Sequence, residues 1–419
     1  MRIAFGFDIF YPERNGIITS TINLANNLID MGHEVFFFVP SDKAFTDTVI
    51  EKGIKVIHVK SINTWIYKGL KILPYFGWYL QKDLYLNKID IVHTTAPWLV
   101  GFALNHAARR LHIPTISTHH TLIDNPTYIK YVIKSNTISK IAPVWGGLLR
   151  PFFKLTWMLT APGKHTCEVL KTQVKNIDVR YVSNGIDIEK FNQPETHEDI
   201  SAIIPDEFIN KNTFIYVGRL GYEKSIDILL RGFAKAIKKH SEARLLLIGD
   251  GPARKDLEKL VEELEISDHV YFAGLVDNSK ILGTKLISKC LAFTTASKSE
   301  NQAMTVIEAI CSSAPTICPN VENMTDLIEE EFGWHFEPDN TDDLADKMIY
   351  VLENNDEAKE KGIIAGKHSN RFDGRIVAKQ FLSLYEELLE LKKNNYFVPR
   401  GEIKHELYYK IIAERYKDR

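Results

Sequence analysis

The chain has 419 residues, of which 45% are hydrophobic and 25% charged, and its net charge is −2. This composition is that of a globular protein, and the length favours two domains over one. No run of about 18 apolar residues occurs in the sequence, which excludes a membrane-spanning helix.

The N-terminus and the cysteines indicate a cellular setting. A strand pattern begins at Arg2, so we expect no signal peptide. The four cysteines, Cys167, Cys290, Cys311 and Cys318, have no metal-binding spacing. We therefore expect buried thiols in a reducing compartment and no metal site.

Apolar, β-branched runs alternate with amphipathic helical stretches along the whole chain. In the first half the predicted strands are Ile3–Ile9, Glu34–Val39, Lys55–Val59, Ile89–His93, Thr115–Thr118, Thr156–Ala161 and Arg180–Val182. In the second half they are Thr213–Val217, Arg244–Ile248, Val270–Phe272, Cys290–Thr295, Thr316–Cys318 and Trp334–Phe336. Strands that alternate with helices predict parallel sheets covered on both faces.

Two such series predict an α/β protein with two doubly wound, Rossmann-like domains that face each other across a cleft. We place the N-terminal domain at residues 1–185, a polar linker at 186–212 and the C-terminal domain at 213–390. A basic, amphipathic tail follows at 391–419. Because ligands of open α/β sheets bind outside the carboxyl ends of the strands, we expect the active site in the cleft.

The most informative segment spans residues 297–310 and holds Glu300 and Glu308, eight positions apart. It follows a predicted strand and leads into an apolar helical pattern. Glu300 is therefore expected at the start of a helix and Glu308 about two turns into it. The N–H groups of residues 301–303 would then be first-turn donors, which bind phosphate. A carboxylate beside a phosphate accepts hydrogen bonds from sugar hydroxyls, so the segment predicts a nucleotide-sugar site.

Charged or glycine-containing loops follow the other predicted strands of the second half. Arg219 and Lys224 are placed to neutralise a diphosphate leaving group, where negative charge grows as a sugar–phosphate bond breaks. Gly249 follows the next strand in a tight turn, which a purely structural turn also explains. Gly274 and Val276 end the strand after that, where backbone groups are able to contact a nucleobase.

Two segments of the first half carry further candidates. Gly16 follows the first strand in an Asn-Gly turn and lets a backbone amide approach a ligand closely, although an ordinary strand–turn–helix explains it equally well. His119 and His120 end another strand, where an imidazole orients a hydroxyl or a phosphate. His120 is the better candidate, although a lone histidine is more often structural.

Uneven charge along the chain suggests a partner. Residues 1–185 carry 21 Lys and Arg against 12 Asp and Glu, so the remainder is acidic. Within this half, residues 126–157 and, more weakly, 65–86 interleave lysines with aromatic and aliphatic side chains. This pattern is typical of contact with an anionic membrane surface, although a half-buried helix with a basic face explains it too.

Taken in this order, the motifs resemble glycosyltransferase family 4, whose members are retaining enzymes of the GT-B fold. The resemblance covers roughly residues 1–390. The shared motifs are the E-x7-E pair Glu300 and Glu308, the G-R-x-x-x-E-K loop Gly218–Lys224, the N-terminal Asn15–Ile17 and the S-N-G-I-D element Ser183–Asp187.

The resemblance implies roles for single residues. Glu300 would contact hydroxyls of the donor sugar, Glu308 would contact the ribose, and His120 would lie against the transferred sugar. The implied catalytic set is His120, Glu300, Arg219 and Lys224, and the donor-binding set is Gly16, Arg219, Lys224, Gly249, Gly274, Val276, Glu300, Asn301, Gln302, Ala303 and Glu308. The family is generally metal-independent and retains configuration by front-face attack, so the resemblance implies no cofactor and no carboxylate nucleophile.

Within the family, the segments N-G-I-I-T-S and T-H-H-T are most similar to those of bacterial diacylglycerol glucosyltransferases. This similarity implies transfer of a hexose, glucose above all, from a UDP-sugar to a membrane lipid such as 1,2-diacylglycerol. The enzyme would lie in the cytoplasm on the inner face of the cell membrane, held through residues 65–86 and 126–157, with no nucleic-acid partner.

Other functions stay open. The run Asp124–Tyr131 matches the acidic, tyrosine-rich run of the lipid enzymes only in part. A polysaccharide or a polyprenyl-linked glycan is therefore an alternative acceptor. A nucleotide-sugar epimerase and a non-catalytic scaffold are less favoured, because the charged set Arg219, Lys224, Glu300 and Glu308 is intact.

Overall fold

The computed structural model describes residues 1–8, 10, 16–42, 47–63, 71–72, 80–95, 99–120, 152–174, 176–196, 200–298 and 300–394. The chain forms two compact units, divided between Gly185 and Ile186 and again between Asp373 and Gly374.

The first unit is built on an eight-stranded sheet in the order β10-β9-β8-β7-β1-β2-β4-β3, beside a two-stranded pair of β5 and β6. The strands are β1 (Arg2–Gly6), β2 (Glu34–Ser41), β3 (Asp47–Ile50), β4 (Ile54–Lys60), β5 (Ile62–Asn63), β6 (Lys71–Ile72), β7 (Ile91–Thr94), β8 (Thr115–Thr118), β9 (Met158–Ala161) and β10 (Asp178–Tyr181). All neighbours in the large sheet are parallel except β3 with β4. Every strand predicted in this half is confirmed within a few residues.

Helices cover both faces of this sheet. Among the described ones are α1 (Gly16–Asp30), α2 (Leu80–Leu86), α3 (Leu99–Arg110) and α4 (Lys164–Gln173). Successive side chains of a strand point to opposite faces. Accordingly, Ile3 and Phe5 of β1 lie in one buried cluster with α1, whereas Ala4 lies in another with α2 and α3. Burial on both faces explains why these strands are continuous apolar runs.

The second unit has a six-stranded, fully parallel sheet in the order β13-β12-β11-β14-β15-β16. Its strands are β11 (Thr213–Val217), β12 (Arg244–Ile248), β13 (Val270–Gly274), β14 (Ala292–Thr294), β15 (Thr316–Pro319) and β16 (Gly333–Phe336). Its helices are α5 (Glu189–Asn192), α6 (Ile226–Ala236), α7 (Arg254–Glu263), α8 (Asn278–Gly283), α9 (Leu286–Lys289), α10 (Met304–Cys311), α11 (Glu322–Thr325), α12 (Thr341–Glu353) and α13 (Asn355–Lys367). The strand order reverses between β11 and β14, which is where a doubly wound sheet forms its ligand site.

Residues 186–212, interpreted from the sequence as a linker, pack as part of the second unit. Phe191, Ile204 and Phe208 are buried in the same cluster as Ile307 on α10. The few apolar side chains of this polar stretch anchor it to the domain that follows.

The last described helix, α14 (Gly374–Lys393), belongs to the first unit, although residues 374–390 were assigned to the C-terminal domain from the sequence. Its Phe381 and Tyr385 are buried in the cluster that contains Ile3 and Phe5. An amphipathic pattern specifies which face of a helix is buried but not which domain covers it. The predicted domain boundary at 390 is therefore wrong.

The basic segments 65–86 and 126–157 lie largely outside the described residues. Of the aromatic residues expected at a membrane, Phe152, Phe153 and Trp157 are only 3%, 2% and 7% exposed and belong to the core of the first unit. For these three residues the membrane prediction is wrong, because they fill the core beside β9. Within the part of the chain that the structure describes, no helix has the length and apolar character needed to cross a bilayer.

Candidate active site

The loops after β11 and β14 meet at the reversal of strand order in the second unit. Lys224 lies in the first loop and Glu300 in the second. The Lys224 ammonium donates a hydrogen bond to Oε1 of Glu300. The Ser297 hydroxyl donates to the same oxygen at 3.0 Å. The two charged side chains are only 23% and 20% exposed, so the pair is a largely buried feature of this sheet edge.

The charge of Glu300 is stabilised by its neighbours. Burial by itself raises the pKa of this carboxyl, but the Lys224 ammonium lowers it by its charge and by its hydrogen bond, and Ser297 lowers it further. The net effect is a pKa of Glu300 below its ordinary value. At neutral pH the site therefore presents a carboxylate, which accepts hydrogen bonds, beside an ammonium, which attracts a phosphate.

The helix that follows Glu300 begins later than the sequence pattern predicts. α10 starts at Met304, with Ala303 as its N-cap in an extended conformation. Asn301 and Gln302 therefore lie in the loop before the helix, where they are 6% and 7% exposed. The prediction that their amides belong to the first helical turn is wrong.

Glu308 lies just over one turn into α10 and is half-buried. Burial raises the pKa of Glu308 to about 7, although a side-chain hydrogen bond to Asn278 lowers it. Asn278 is the first residue of α8, a helix capped by the Asp277 side chain, which accepts from the Ser279 N–H at 2.9 Å. Glu308 is thus about half protonated at neutral pH, and hydroxyl donors that approach it favour its ionised form.

Arg219 forms its ion pair with a carboxylate of its own loop. Its guanidinium is 3.7 Å from the Glu223 carboxylate, and its side chain is 53% exposed. The Tyr216 hydroxyl donates to the Arg219 carbonyl at 3.1 Å and holds the loop down on β11. The sequence correctly places Arg219 at this strand end, while the structure pairs its side chain within its own loop.

The glycines predicted to bind the donor hold three loops together. The Gly218 N–H donates to Ile248 and the Gly249 N–H to Gly274, at 2.9 and 2.7 Å. Gly249 has a φ of +135°, and a Cβ there would lie 1.9 Å from the Gly218 carbonyl oxygen. Only glycine fits this close approach of two backbones. Val276 is half-buried and packs against the core of the unit.

In the first unit, Gly16 is the first residue of α1, and His120 follows β8. His120 lines a cavity of about 20 Å³ together with His93, Thr118 and Ser20, a volume that fits about one water molecule. Burial, with a smaller contribution from His119, lowers the pKa of His120 to about 3. The imidazole is therefore neutral at pH 7, a form that has one donor and one acceptor nitrogen.

The sequence does not indicate a role for His93, because this residue lies inside an apolar strand. Its Nδ1 is 2.7 Å from the Tyr385 hydroxyl and its Nε2 is 2.6 Å from the Thr118 hydroxyl. Thr118 is bonded in turn to Thr160 at 2.7 Å. This buried chain joins α14 to β8, the strand that precedes His120. Asn278, Ser297 and Asn323 were missed as well, and their shared signal is a position just after a parallel strand.

Two Rossmann-like units with parallel sheets define the class as GT-B. A solved structure of Anabaena HepE in complex with UDP has the same fold, with a TM-score of 0.72 over 92% of this chain and 100% of that chain, at 15% identity. The model "Glycosyltransferase Family 4" matches residues 14–190, and the model "Glycosyl transferases group 1" matches residues 199–368. The chain belongs to these GT-B glycosyltransferases and is a hexosyltransferase.

Similar proteins of known name extend over most of the chain. An alpha-monoglucosyldiacylglycerol synthase of Streptococcus pneumoniae is 29% identical, covering 80% of this chain and 74% of the relative. One from Acholeplasma laidlawii is 27% identical, covering 94% and 98%. A GDP-mannose-dependent alpha-mannosyltransferase of Corynebacterium glutamicum is 25% identical, covering 79% and 75%.

Proposed function

We propose that this glycosyltransferase moves glucose from UDP-glucose to a membrane lipid such as 1,2-diacylglycerol, with retention of configuration at the anomeric carbon. The observation that carries the proposal is the Lys224–Glu300 pair at the reversal of strand order. Two relatives named as glucosyldiacylglycerol synthases support the sugar and the acceptor. The HepE complex supports UDP as the nucleotide.

In this proposal the ion pair opens when the donor binds. The Lys224 ammonium turns to the diphosphate, whose negative charge grows as the bond to the sugar breaks, and the ionised Glu300 accepts hydrogen bonds from sugar hydroxyls. Arg219, on the same loop, adds a second cation. The acceptor hydroxyl attacks the anomeric carbon, and its proton passes to an oxygen of the departing diphosphate, so no separate base is required.

Glu308 completes the proposed donor site of the second unit, and a separate role is proposed for His120. Glu308 contacts the ribose hydroxyls in its ionised form, which the hydrogen bonds of the ribose stabilise against burial. For His120, in the first unit, we propose that the neutral imidazole contacts a sugar hydroxyl. The proposal needs no resident cofactor, because lysine and arginine supply the positive charge.

The test is release of UDP from UDP-glucose by the intact chain, with and without diacylglycerol in anionic liposomes, with the lipid product identified. Lipid-dependent release and an α-linked glucolipid are the expected results. Release from GDP-mannose instead would change the donor and preserve the enzyme class. UDP release that does not depend on lipid but depends on a polyprenyl-linked glycan or a polysaccharide would make that glycan the acceptor in place of the lipid.

We also propose that the chain associates peripherally with anionic membrane through its basic segments. Four lysines carry this expectation: Lys154 is exposed, and Lys130, Lys134 and Lys140 lie outside the described residues. Each lysine near an anionic surface contributes about 1 kcal/mol, so replacing Lys130, Lys134 and Lys140 by serine should weaken liposome binding strongly. A matched control replaces three exposed lysines of the second unit, Lys238, Lys239 and Lys255. Equal binding of both triple variants in a sedimentation assay would end the membrane proposal.

A further inference from the structure

Asn323 reaches from one strand end to the next and holds the backbone of Glu300. It lies on α11, after β15, and β15 is the neighbour of β14 in the sheet. Its side-chain amide Nδ2 donates to the Glu300 carbonyl at 2.8 Å. The residue is only 8% exposed, so this bond is largely shielded from water.

The Glu300–Asn301 peptide has a direction that this bond sets. A trans peptide is planar, and its C=O and the following N–H point in opposite directions. With the Glu300 carbonyl bonded to Asn323, the Asn301 N–H must therefore point away from Asn323. That N–H is one of the backbone amides expected to bind the phosphates of the nucleotide sugar. Asn323 therefore controls the direction of an N–H group that would donate a hydrogen bond to phosphate.

The segment that carries Asn323 is anchored in the core of the second unit. Met324 and Ile328, which follow it, are 1% and 0% exposed and lie in the core cluster of the second unit with Ile307 of α10. The Met324 N–H donates to the Val321 carbonyl at 2.8 Å. Asn323 is thus fixed to the same core as the helix that carries Glu308.

The Oδ1 atom of the Asn323 amide indicates that the side chain serves as a hydrogen-bond donor. Oδ1 of Asn323 is buried and has no hydrogen-bond partner among the described residues. A buried acceptor without a partner is costly, and an apolar side chain of the same shape would avoid that cost. The chain keeps the amide here because its donor end bonds the Glu300 carbonyl.

We propose that Asn323 is a positioning residue that orients the Glu300–Asn301 peptide toward the diphosphate of the donor. This inference rests on the proposed function, since the diphosphate is the ligand that the Asn301 amide would bind. Asn323 itself touches the backbone of Glu300 and acts through it.

Asn323→Leu tests the role, because leucine keeps the shape and removes the donor together with its unpaired acceptor. We expect the melting temperature to stay within a few degrees of the wild type, and binding of UDP, measured by calorimetry on the intact chain, to weaken about tenfold to a hundredfold. A purely structural role predicts the reverse, lower stability with unchanged affinity. Thr325→Val on the same short helix is the control, since it removes an exposed bond to the Glu322 carbonyl.

The outcomes separate this inference from the proposed function. UDP affinity equal to that of the wild type, or an equal loss in Thr325→Val, overturns the positioning role alone. If the wild type prefers GDP or ADP, a selective loss of that nucleotide in Asn323→Leu supports the positioning role while the UDP assignment fails. If the wild type binds none of the three, both proposals fail. Should Asn323→Leu not fold, Asn323→Ala is measured against the same control and decides by the same outcomes.

Discussion

Replacing Lys224 by methionine removes one charge from the Lys224–Glu300 pair and keeps most of the side-chain volume. The pair is largely buried, at 23% and 20% exposure. After the substitution Glu300 keeps the Ser297 hydroxyl as its described side-chain donor. Burial then dominates, and the pKa of Glu300 should rise above its ordinary value instead of lying below it.

The stability change follows from this burial. Breaking a fully buried pair by removing one partner costs about 3–5 kcal/mol, whereas exposed pairs contribute about 1 kcal/mol or less. We expect the free energy of unfolding of Lys224→Met to fall by about 2 kcal/mol, between these limits. A lowered carboxyl pKa contributes stability that is present above its unfolded value and lost as pH falls through its folded value. The difference between wild type and variant should therefore be largest at neutral pH and shrink in acid.

The effect on turnover should be larger than the effect on stability. Losing one charged contact to a developing charge costs about 3 kcal/mol, which is more than a hundredfold in rate. We expect kcat for UDP release to fall by that factor in Lys224→Met while the folded fraction stays high at assay temperature.

The matched control is Lys298→Met, because Lys298 lies in the same loop as Glu300 but pairs with Asp339 at 2.5 Å. Lys298→Met should keep kcat near that of the wild type. The assay is kcat and KM for UDP release, with a melting curve for each variant. A kcat of Lys224→Met within tenfold of the wild type, or an equal loss in Lys298→Met, would refute the catalytic role of Lys224.

Two further predictions concern Glu308 and Gly249. Because burial raises the pKa of Glu308 to about 7 and ribose contact requires its ionised form, UDP-glucose affinity measured by calorimetry should increase from about pH 5.5 to about pH 8. Glu308→Gln should bind weakly with a flat profile, and a flat profile for the wild type would remove Glu308 from the ribose contact. Gly249→Ala places a Cβ 1.9 Å from the Gly218 carbonyl oxygen, so thermal melting should show a loss of about 3 kcal/mol or more. Gly32→Ala, at a φ of +86° with nothing within 4 Å, should lose only about 1 kcal/mol, and equal melting of the two variants would contradict the close approach at Gly249.

The sequence predicts the strands well and the edge elements poorly. Strands buried on both faces are long β-branched runs, and all of those in the large sheets are found except β3. β3 (Asp47–Ile50) is an antiparallel edge strand whose one partner among the described strands is β4. An edge strand pairs on one side and does not require a continuous apolar run. Its sequence pattern therefore resembles that of a loop. The strands β5 and β6, two residues each, are too short to show the alternation of apolar and polar residues that indicates a strand.

The start of α10 shows a different limit. The apolar pattern after Glu300 predicts a helix, but no feature of the neighbouring sequence indicates that the helix begins only at Met304. The preceding loop is held by Asn323, which bonds the Glu300 carbonyl from 23 positions further along the chain. Contacts of that kind are tertiary, so a local pattern predicts the helix and misses its first turn.

The pairing of Lys224 with Glu300 is also tertiary, yet the sequence contained a clue to it. A doubly wound sheet must reverse its strand order once, and the two loops at the reversal diverge from each other and leave room for a ligand. Among the strand ends of the second half, those of β11 and β14 combine charged side chains with motifs typical of phosphate and sugar contact. The reversal lies between these two strands. A ligand site needs the sheet edge at which two neighbouring loops diverge. The charged residues of these loops therefore indicate, from the sequence alone, which two strands flank the reversal of strand order.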